Sequence, residues 1–418
     1  MKHGYENMKC GLIGEHLGHS FSPLIHRELA DYDYTLRELS PDELGDFMRS
    51  GELDAFNVTI PYKKDVMPYL DRISPEAAAI GSVNTVVKDK DGKLCGYNTD
   101  YFGFNYTIDM SGIDVSGKKI LVFGRGGASL AVCAVLRDRG AREIVTLGSR
   151  DNTRENIEAH SDAEIIVNAT PVGMYPNNEK SPAKLSDFPA CVGVFDLIFN
   201  PERTALLLDA QARGIPCVNG LPMLVAQAAR AFEHFTGDKF EESCVERIIS
   251  VIRQKTNNII LIGMPGCGKT TVGRIIADKL CREFIDADDE FKRMHGISPA
   301  ECIEQMGEER FRELETLTLS ELGKKSSIVL ATGGGAVTRE RNYPLLHQNG
   351  RIFFIERALG NLSRDGRPLS AKTSPEEMYA KRIDAYRRFA DATIYSKEIP
   401  EDTANAVISS FNEQKTGD

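Results

Sequence analysis

Two stretches constrain the fold more than anything else in the chain. Residues 119–131 read KILVFGRGGASLA and residues 259–271 read IILIGMPGCGKTT. Each runs an apolar strand into a glycine-rich turn and on into a helix-forming stretch. A strand of this kind sits inside a parallel sheet, and the turn at its C-terminal end offers the backbone N–H groups of a helix N-terminus to phosphate. The two turns follow different glycine patterns, which implies two separate cradles for two different ligands. Short apolar runs alternate with helix-like stretches along nearly the whole chain, so the expected class is α/β with parallel sheets.

At 418 residues the chain is too long for one ordinary core and predicts two or three domains. A net charge of −10 argues against a general nucleic-acid binder and against a basic membrane-surface protein. The nine cysteines are scattered with no CxxC pair, which fits reduced thiols better than a disulfide framework. The first residues, MKHGYENMKCGLIG, lack an apolar signal core, and no run nears the roughly 18 apolar residues of a membrane span. The expectation is a cytoplasmic enzyme acting on small molecules.

The sequence divides into an α/β substrate-binding domain over 1–103, completed by helical residues 220–252, and a dinucleotide-binding domain over 104–236. A helix and linker follow at 237–258, then a P-loop domain over 259–418. In the helix, Phe240, Cys244, Val245, Ile248, Ile249 and Ile252 fall on one face, leaving 253–258 as a short polar joint.

The second cradle, Gly263-Met-Pro-Gly266-Cys-Gly268-Lys269-Thr270-Thr271, fits G-x-x-x-x-G-K-[ST]. Its glycines turn N–H groups inward, Lys269 is placed to neutralise β- and γ-phosphate charge, and the Thr270 hydroxyl suits Mg²⁺. Downstream come FIDADDEF, GEERFRELE, ATGGGAV, RPLS and KRIDAYRRFA. In this order, over about 257–398, they resemble shikimate kinase.

That resemblance implies that Asp286 sits near Mg²⁺ and that Asp288 contacts shikimate and assists its attacking 3-hydroxyl. Arg312, Gly334, Gly335 and Arg382 would bind shikimate, the arginines facing its carboxylate, and Arg367 would reach the ATP phosphates from a lid. Each residue taken alone has a plainer account. The acidic run at 286–289 reads equally as a solvated loop, and Arg312 as a helix-surface partner of Glu308. KRIDAYRRFA lacks the proline usual between the family's arginine and tyrosine, which leaves Arg387 as a fallback for Arg382.

The first cradle, Gly124-Arg-Gly126-Gly127-Ala128, stands where a dinucleotide pyrophosphate approaches a helix N-terminus. An NAD site wants a carboxylate at the end of the next strand, whereas this chain has Ser149-Arg150, with Arg154 nearby. Arginine there matches a 2′-phosphate, so NADP(H) is favoured, although Asp151 is an awkward neighbour for a dianion.

The motifs GHSFSPLIH, FNVTIPYKK, IGSVNT, GYNTDYFG, NATPVGM, DLIFNPERTALL and LPMLVAQAA lie in order between about 8 and 237. Together they resemble shikimate dehydrogenase. The resemblance implies NADPH-dependent reduction of 3-dehydroshikimate, with Lys63 and Asp100 as the catalytic pair. Ser20 and Ser22, two apart in an extended loop, would face the substrate carboxylate. Asn57, Thr59, Asn84 and Gln227 would meet the ring hydroxyls. Alternatives remain: Lys63 as a solvated lysine, and Asp100 as a helix N-cap. Phe199 replaces the family's tyrosine, which implies weaker substrate binding.

The two resemblances together predict a fusion that makes shikimate in one half and phosphorylates it in the other, with NADP(H), ATP and Mg²⁺. The rivals are an NAD-linked quinate/shikimate dehydrogenase, supported by Asp151 and Phe199, a gluconate- or nucleotide-type kinase, and a half that binds without turnover.

Overall fold

The computed structural model describes residues 3–18, 20–362 and 374–413. It divides into two compact units. One comprises Met1–Phe199 with Thr204–Ile252, and the other Asn200–Arg203 with Arg253–Asp418. Among the described residues no helix is long and apolar enough to cross a membrane.

The first unit holds two sheets. The first sheet contains β1 (Lys9–Gly14), β2 (Asp33–Glu38), β3 (Ala55–Val58), β4 (Arg72–Ile73), β5 (Thr85–Lys88) and β6 (Leu94–Tyr97). Their order is β2-β1-β3-β5-β6-β4. β1 runs parallel to β2 and β3, while β5 is antiparallel to β3 and β6. The second sheet contains β7 (Lys119–Phe123), β8 (Glu143–Leu147), β9 (Ile165–Asn168), β10 (Gly193–Asp196) and β11 (Cys217–Val218). It is parallel throughout, in the order β11-β10-β9-β7-β8. β7 thus lies between β8 and β9, at the point where successive crossovers change direction. In open α/β sheets ligands bind at that point, beyond the strand C-termini.

Helix Ser243–Thr256 buries Val245, Ile248, Ile249 and Ile252 with Cys10, Ile25 and Val225 in the core behind the first sheet. Each such side chain contributes about 1.5–3 kcal/mol by leaving water. Residues 253–256, expected as a joint, are the last turn of this helix, and β12 follows almost at once. Polar residues propagate a helix as readily as apolar ones once one face is anchored. Helix Thr99–Ser111 runs through the expected domain boundary at 103/104. Its Phe104 and Ile108 pack with Ile120 and Val122 of β7.

The second unit is built on β12 (Asn258–Ile262), β13 (Glu283–Asp286), β14 (Ile328–Ala331), β15 (Gly350–Glu356) and β16 (Ala392–Tyr395). This sheet is also parallel, in the order β13-β14-β12-β15-β16. β12 is buried on both faces, which explains the apolar run Ile259–Ile262 that follows Asn258.

Candidate active sites

In the first unit a polar network connects the residues singled out in the sequence. Lys63 Nζ donates to Asp100 Oδ2 at 2.6 Å, and Asn84 Nδ2 donates to Asp100 Oδ1 at 2.9 Å. Asn84 Oδ1 in turn accepts from the Thr99 N–H at 2.7 Å. Thr99 Oγ1 donates to Gln227 Oε1 at 3.2 Å. Asn57, on β3, accepts from the Tyr34 hydroxyl at 2.8 Å and donates to Thr85 Oγ1 at 3.2 Å. Thr59 lies just past the end of β3, half-buried.

The local sequence explains this placement. Asn98, not Asp100, caps helix Thr99–Ser111, its side chain accepting from the Tyr101 N–H. That frees Asp100, in the first turn, to hold the lysine, while the positive end of the helix stabilises its carboxylate. Gly103 lets helix Leu221–Thr236 approach, since a Cβ there would fall 2.6 Å from the Met223 carbonyl oxygen. Gln227 is brought to Thr99 by that close packing.

Ser20 and Ser22 differ from expectation. Phe21 has helical dihedrals, and Ser22 opens helix Ser22–Leu29, with proline in its first turn. The loop is therefore not extended; Ser20 Oγ accepts from the Ser22 N–H at 3.2 Å, which leaves its hydroxyl proton available to a ligand.

The dinucleotide turn has the shape its glycines require. Gly124 has φ +115°, and a Cβ there would lie 2.7 Å from the Ala169 carbonyl oxygen. Gly126 precedes helix Gly127–Asp138, whose second residue is Ala128, and Ser129 Oγ pins the turn by donating to Gly124 O at 2.7 Å. A Cβ on Gly127 would meet Lys63 Cδ at 3.1 Å, so the lysine stem lies directly on this turn. A cradle that backbone alone can line fits a pyrophosphate.

Beyond β8, Ser149 and Arg150 are exposed. Arg154 is occupied by Glu158, Nε to Oε1 at 2.7 Å. Sequence reasoning missed Arg125, which pairs with Asp151 at 2.6 Å. The contact crosses from one loop to another and leaves no periodic trace.

In the second unit a cavity of about 540 Å³ brings together the P-loop, Asp286, Asp288, Arg312, Gly334, Gly335 and Arg382. Gly263, Gly266 and Gly268 all have positive φ, as a loop turning its N–H groups inward demands. Lys269 opens helix Lys269–Leu280, and its ammonium donates to the carbonyls of Gly263 and Met264 at 2.8 and 3.1 Å. Thr271 follows Thr270 in the first turn and lines the same cavity.

Thr270 Oγ1 donates to Asp286 Oδ2 at 2.8 Å, and Asp286 caps helix Ala287–His295. Hydroxyl and carboxylate oxygens side by side suit Mg²⁺, which needs few protein ligands when phosphates complete its shell. Enclosure by the pocket walls, followed by the charges of Asp286 and Glu315, pushes the Asp288 carboxyl up to about 6.

Arg312 is buried on helix Glu308–Gly323 and pairs with Glu315 at 2.7 Å and Glu308 at 3.2 Å. The i−4 partner is present, but the guanidinium is not on the surface. It lies over Gly335, where a Cβ would come within 2.2 Å of Nη2. Gly334 O accepts from Arg382 Nη1 at 3.2 Å and from the Tyr386 hydroxyl. Arg382 lines the cavity, whereas Arg387 is exposed on the same helix and does not line it.

Two charged lining residues were missed by sequence reasoning. Glu315 carried a signal, being one helical turn beyond Arg312 in GEERFRELE. Arg357, just past β15, had only its place beyond a strand C-terminus. Arg367 lies outside the described residues.

The folds and sites define a dinucleotide-dependent oxidoreductase joined to a P-loop phosphotransferase. Family models match in three places. They are the shikimate dehydrogenase substrate-binding domain over residues 12–86, the shikimate 5′-dehydrogenase C-terminal domain over 220–249, and shikimate kinase over 265–412. An NADP⁺ shikimate dehydrogenase of Shouchella clausii is 38% identical over 266 residues, covering 57% of this chain and 96% of the relative. The crystal structure of shikimate dehydrogenase 1 from Peptoclostridium difficile is 35% identical, with a TM-score of 0.54, covering 58% of this chain and 97% of that one. A Thermus thermophilus shikimate 5-dehydrogenase, solved with NADP(H) and shikimate, is 31% identical, with a TM-score of 0.53, and the coverages are 58% and 98%. The chain belongs to the shikimate dehydrogenase family, and it carries a shikimate kinase domain at its C-terminal end.

Proposed function

We propose that the chain performs two successive reactions on one carbon skeleton, reducing 3-dehydroshikimate to shikimate and phosphorylating shikimate at its 3-hydroxyl. The contact of Lys63 with Asp100 on one side and with the dinucleotide turn at Gly127 on the other supports the first. The cavity shared by the P-loop, Asp288 and Arg312 supports the second.

NADPH, when bound, supplies the hydride to the C3 carbonyl. The Lys63 ammonium stabilises the oxygen as negative charge develops and gives it a proton, later regained from water. Asp100 orients the lysine and accepts from a ring hydroxyl. Asn57, Asn84 and Gln227, fixed by their neighbours, position the other hydroxyls, and Ser20 and Ser22 meet the carboxylate.

ATP with Mg²⁺, when bound, supplies the phosphoryl group. Asp288 accepts the proton of the attacking 3-hydroxyl, and Arg312 and Arg382 hold the substrate carboxylate. Lys269 neutralises phosphate charge, while Thr270 and Asp286 hold the metal ion. An acceptor bearing a carboxylate suits the paired arginines better than gluconate-type or nucleotide acceptors with the same P-loop. All ligands in this reading are small molecules, and the free cysteines accord with a reducing, cytoplasmic setting.

The test gives the purified chain 3-dehydroshikimate with NADPH or NADH and, separately, shikimate with Mg-ATP. NADPH oxidation and ADP release are expected. Failure of either half, or equal use of NADH, rejects that part of the reading.

A further inference from the structure

The carboxylate of Asp151 stands just past β8, where dinucleotide folds place the ribose 2′ substituent. An unpaired acid there accepts from the 2′-hydroxyl of NAD and repels the 2′-phosphate of NADP. In this chain Asp151 is not unpaired. Arg125, the residue between the first two glycines of the turn, reaches across the end of the sheet and sets Nη1 2.6 Å from Asp151 Oδ2. Its Nη2 donates to the Thr146 carbonyl of β8 at 3.1 Å. The stem passes over Gly148, where a Cβ would lie 3.3 Å from Arg125 Cδ and 3.4 Å from Asp151 Oδ2. The three contacts hold the exposed guanidinium over the end of β8, and Arg150, next to Asp151 in the chain, is exposed as well.

Resting on the reading of the first unit as an NADP-dependent dehydrogenase, the geometry points to Arg125 as the residue that sets coenzyme choice. It neutralises Asp151 and presents its remaining N–H edge, together with Arg150, to the 2′-phosphate. The balance of charge at the end of β8 then favours a dianion: two arginines against one aspartate, with Arg154 engaged by Glu158. Remove Arg125, and the same loop presents a bare carboxylate and becomes an acceptor for a 2′-hydroxyl.

The test is a double-mutant cycle on the full chain, read by calorimetric binding of NADP⁺ and NAD⁺. A thermal melt of each variant serves as the control for folding. Arg125→Ala should weaken NADP⁺ by about 10- to 100-fold, the worth of a lost charge-assisted contact, and leave NAD⁺ unchanged or tighter. Asp151→Asn in the Arg125→Ala background should recover at least about threefold of the NADP⁺ affinity, because the exposed negative charge is gone. Arg125→Lys should retain part of the preference. Equal weakening of both coenzymes by Arg125→Ala would show that the arginine only braces the turn and would overturn the proposal. So would no recovery with Asp151→Asn, or a wild-type chain that binds NAD⁺ as tightly as NADP⁺. If the binding pattern appears but 3-dehydroshikimate is not reduced, the reaction assignment fails while the coenzyme rule stands.

Discussion

The stem of Lys63 rests on Gly127, the first residue of the helix that opens the dinucleotide turn, at a distance where a Cβ would come 3.1 Å from Lys63 Cδ. The lysine stem therefore lies against the coenzyme cradle, and a side chain at this position would have to push it aside by a few tenths of an ångström. Gly127→Ala should displace the lysine by a few tenths of an ångström and lower kcat for reduction several-fold. Gly127→Val should cost about 100-fold, as misplacement near 1 Å does. Phosphorylation of shikimate by the same protein should be unchanged in both variants, and steady-state kinetics of each reaction decide the matter.

With Asp288 as the proposed acceptor of the 3-hydroxyl proton, the kinase reaction should be pH-dependent. Its carboxyl is raised to about 6 by enclosure and by the neighbouring acids, and a proton acceptor must be ionised. The kcat/KM for shikimate should hold above pH 6 and fall about tenfold per unit well below it. Asp288→Asn should abolish that acid limb and reduce kcat by about 10²- to 10⁴-fold. A limb that persists in the variant belongs to another group.

Arg312 depends on Glu315 for its place, the two side chains being 2.7 Å apart and both buried. Glu315→Ala removes the buried acid paired with this guanidinium and leaves the exposed Glu308. Stability should drop by about 1–3 kcal/mol, since a buried charge loses its buried partner and keeps only an exposed one. KM for shikimate should rise about tenfold with KM for ATP unchanged, and thermal melts with substrate titrations separate the two effects.

Phe199 packs against Phe21, with ring centroids 5.3 Å apart, beside the loop that carries Ser20 and Ser22. Phe199→Tyr should lower KM for 3-dehydroshikimate by about fivefold, the worth of one added hydrogen bond near 1 kcal/mol. An unchanged KM would mean that the ring edge does not face the substrate.

Both phosphate cradles were legible because their chemistry is local. Glycines at Gly124 and Gly263 adopt left-handed backbone, and the strand before each and the helix after it lie within a dozen residues. The Lys63–Asp100 pair was legible only through resemblance to a family, since 37 residues separate the two and neither carries a periodic signal. The serine loop was misread for want of weight on Pro23, which marks a first helical turn rather than an extended segment. Arg125 and Arg357 were silent because loops brought together by a sheet edge leave no spacing rule behind them. Glu315 was within reach, as residues three apart on a helix face the same way.

Helix Thr99–Ser111 carries Asp100 at its first turn, while Phe104 and Ile108 further along belong to the core beneath β7. One rod thus ends at the lysine and is seated in the coenzyme-binding sheet. A shift of that sheet would therefore carry Asp100 with it, and with Asp100 the anchor of the lysine.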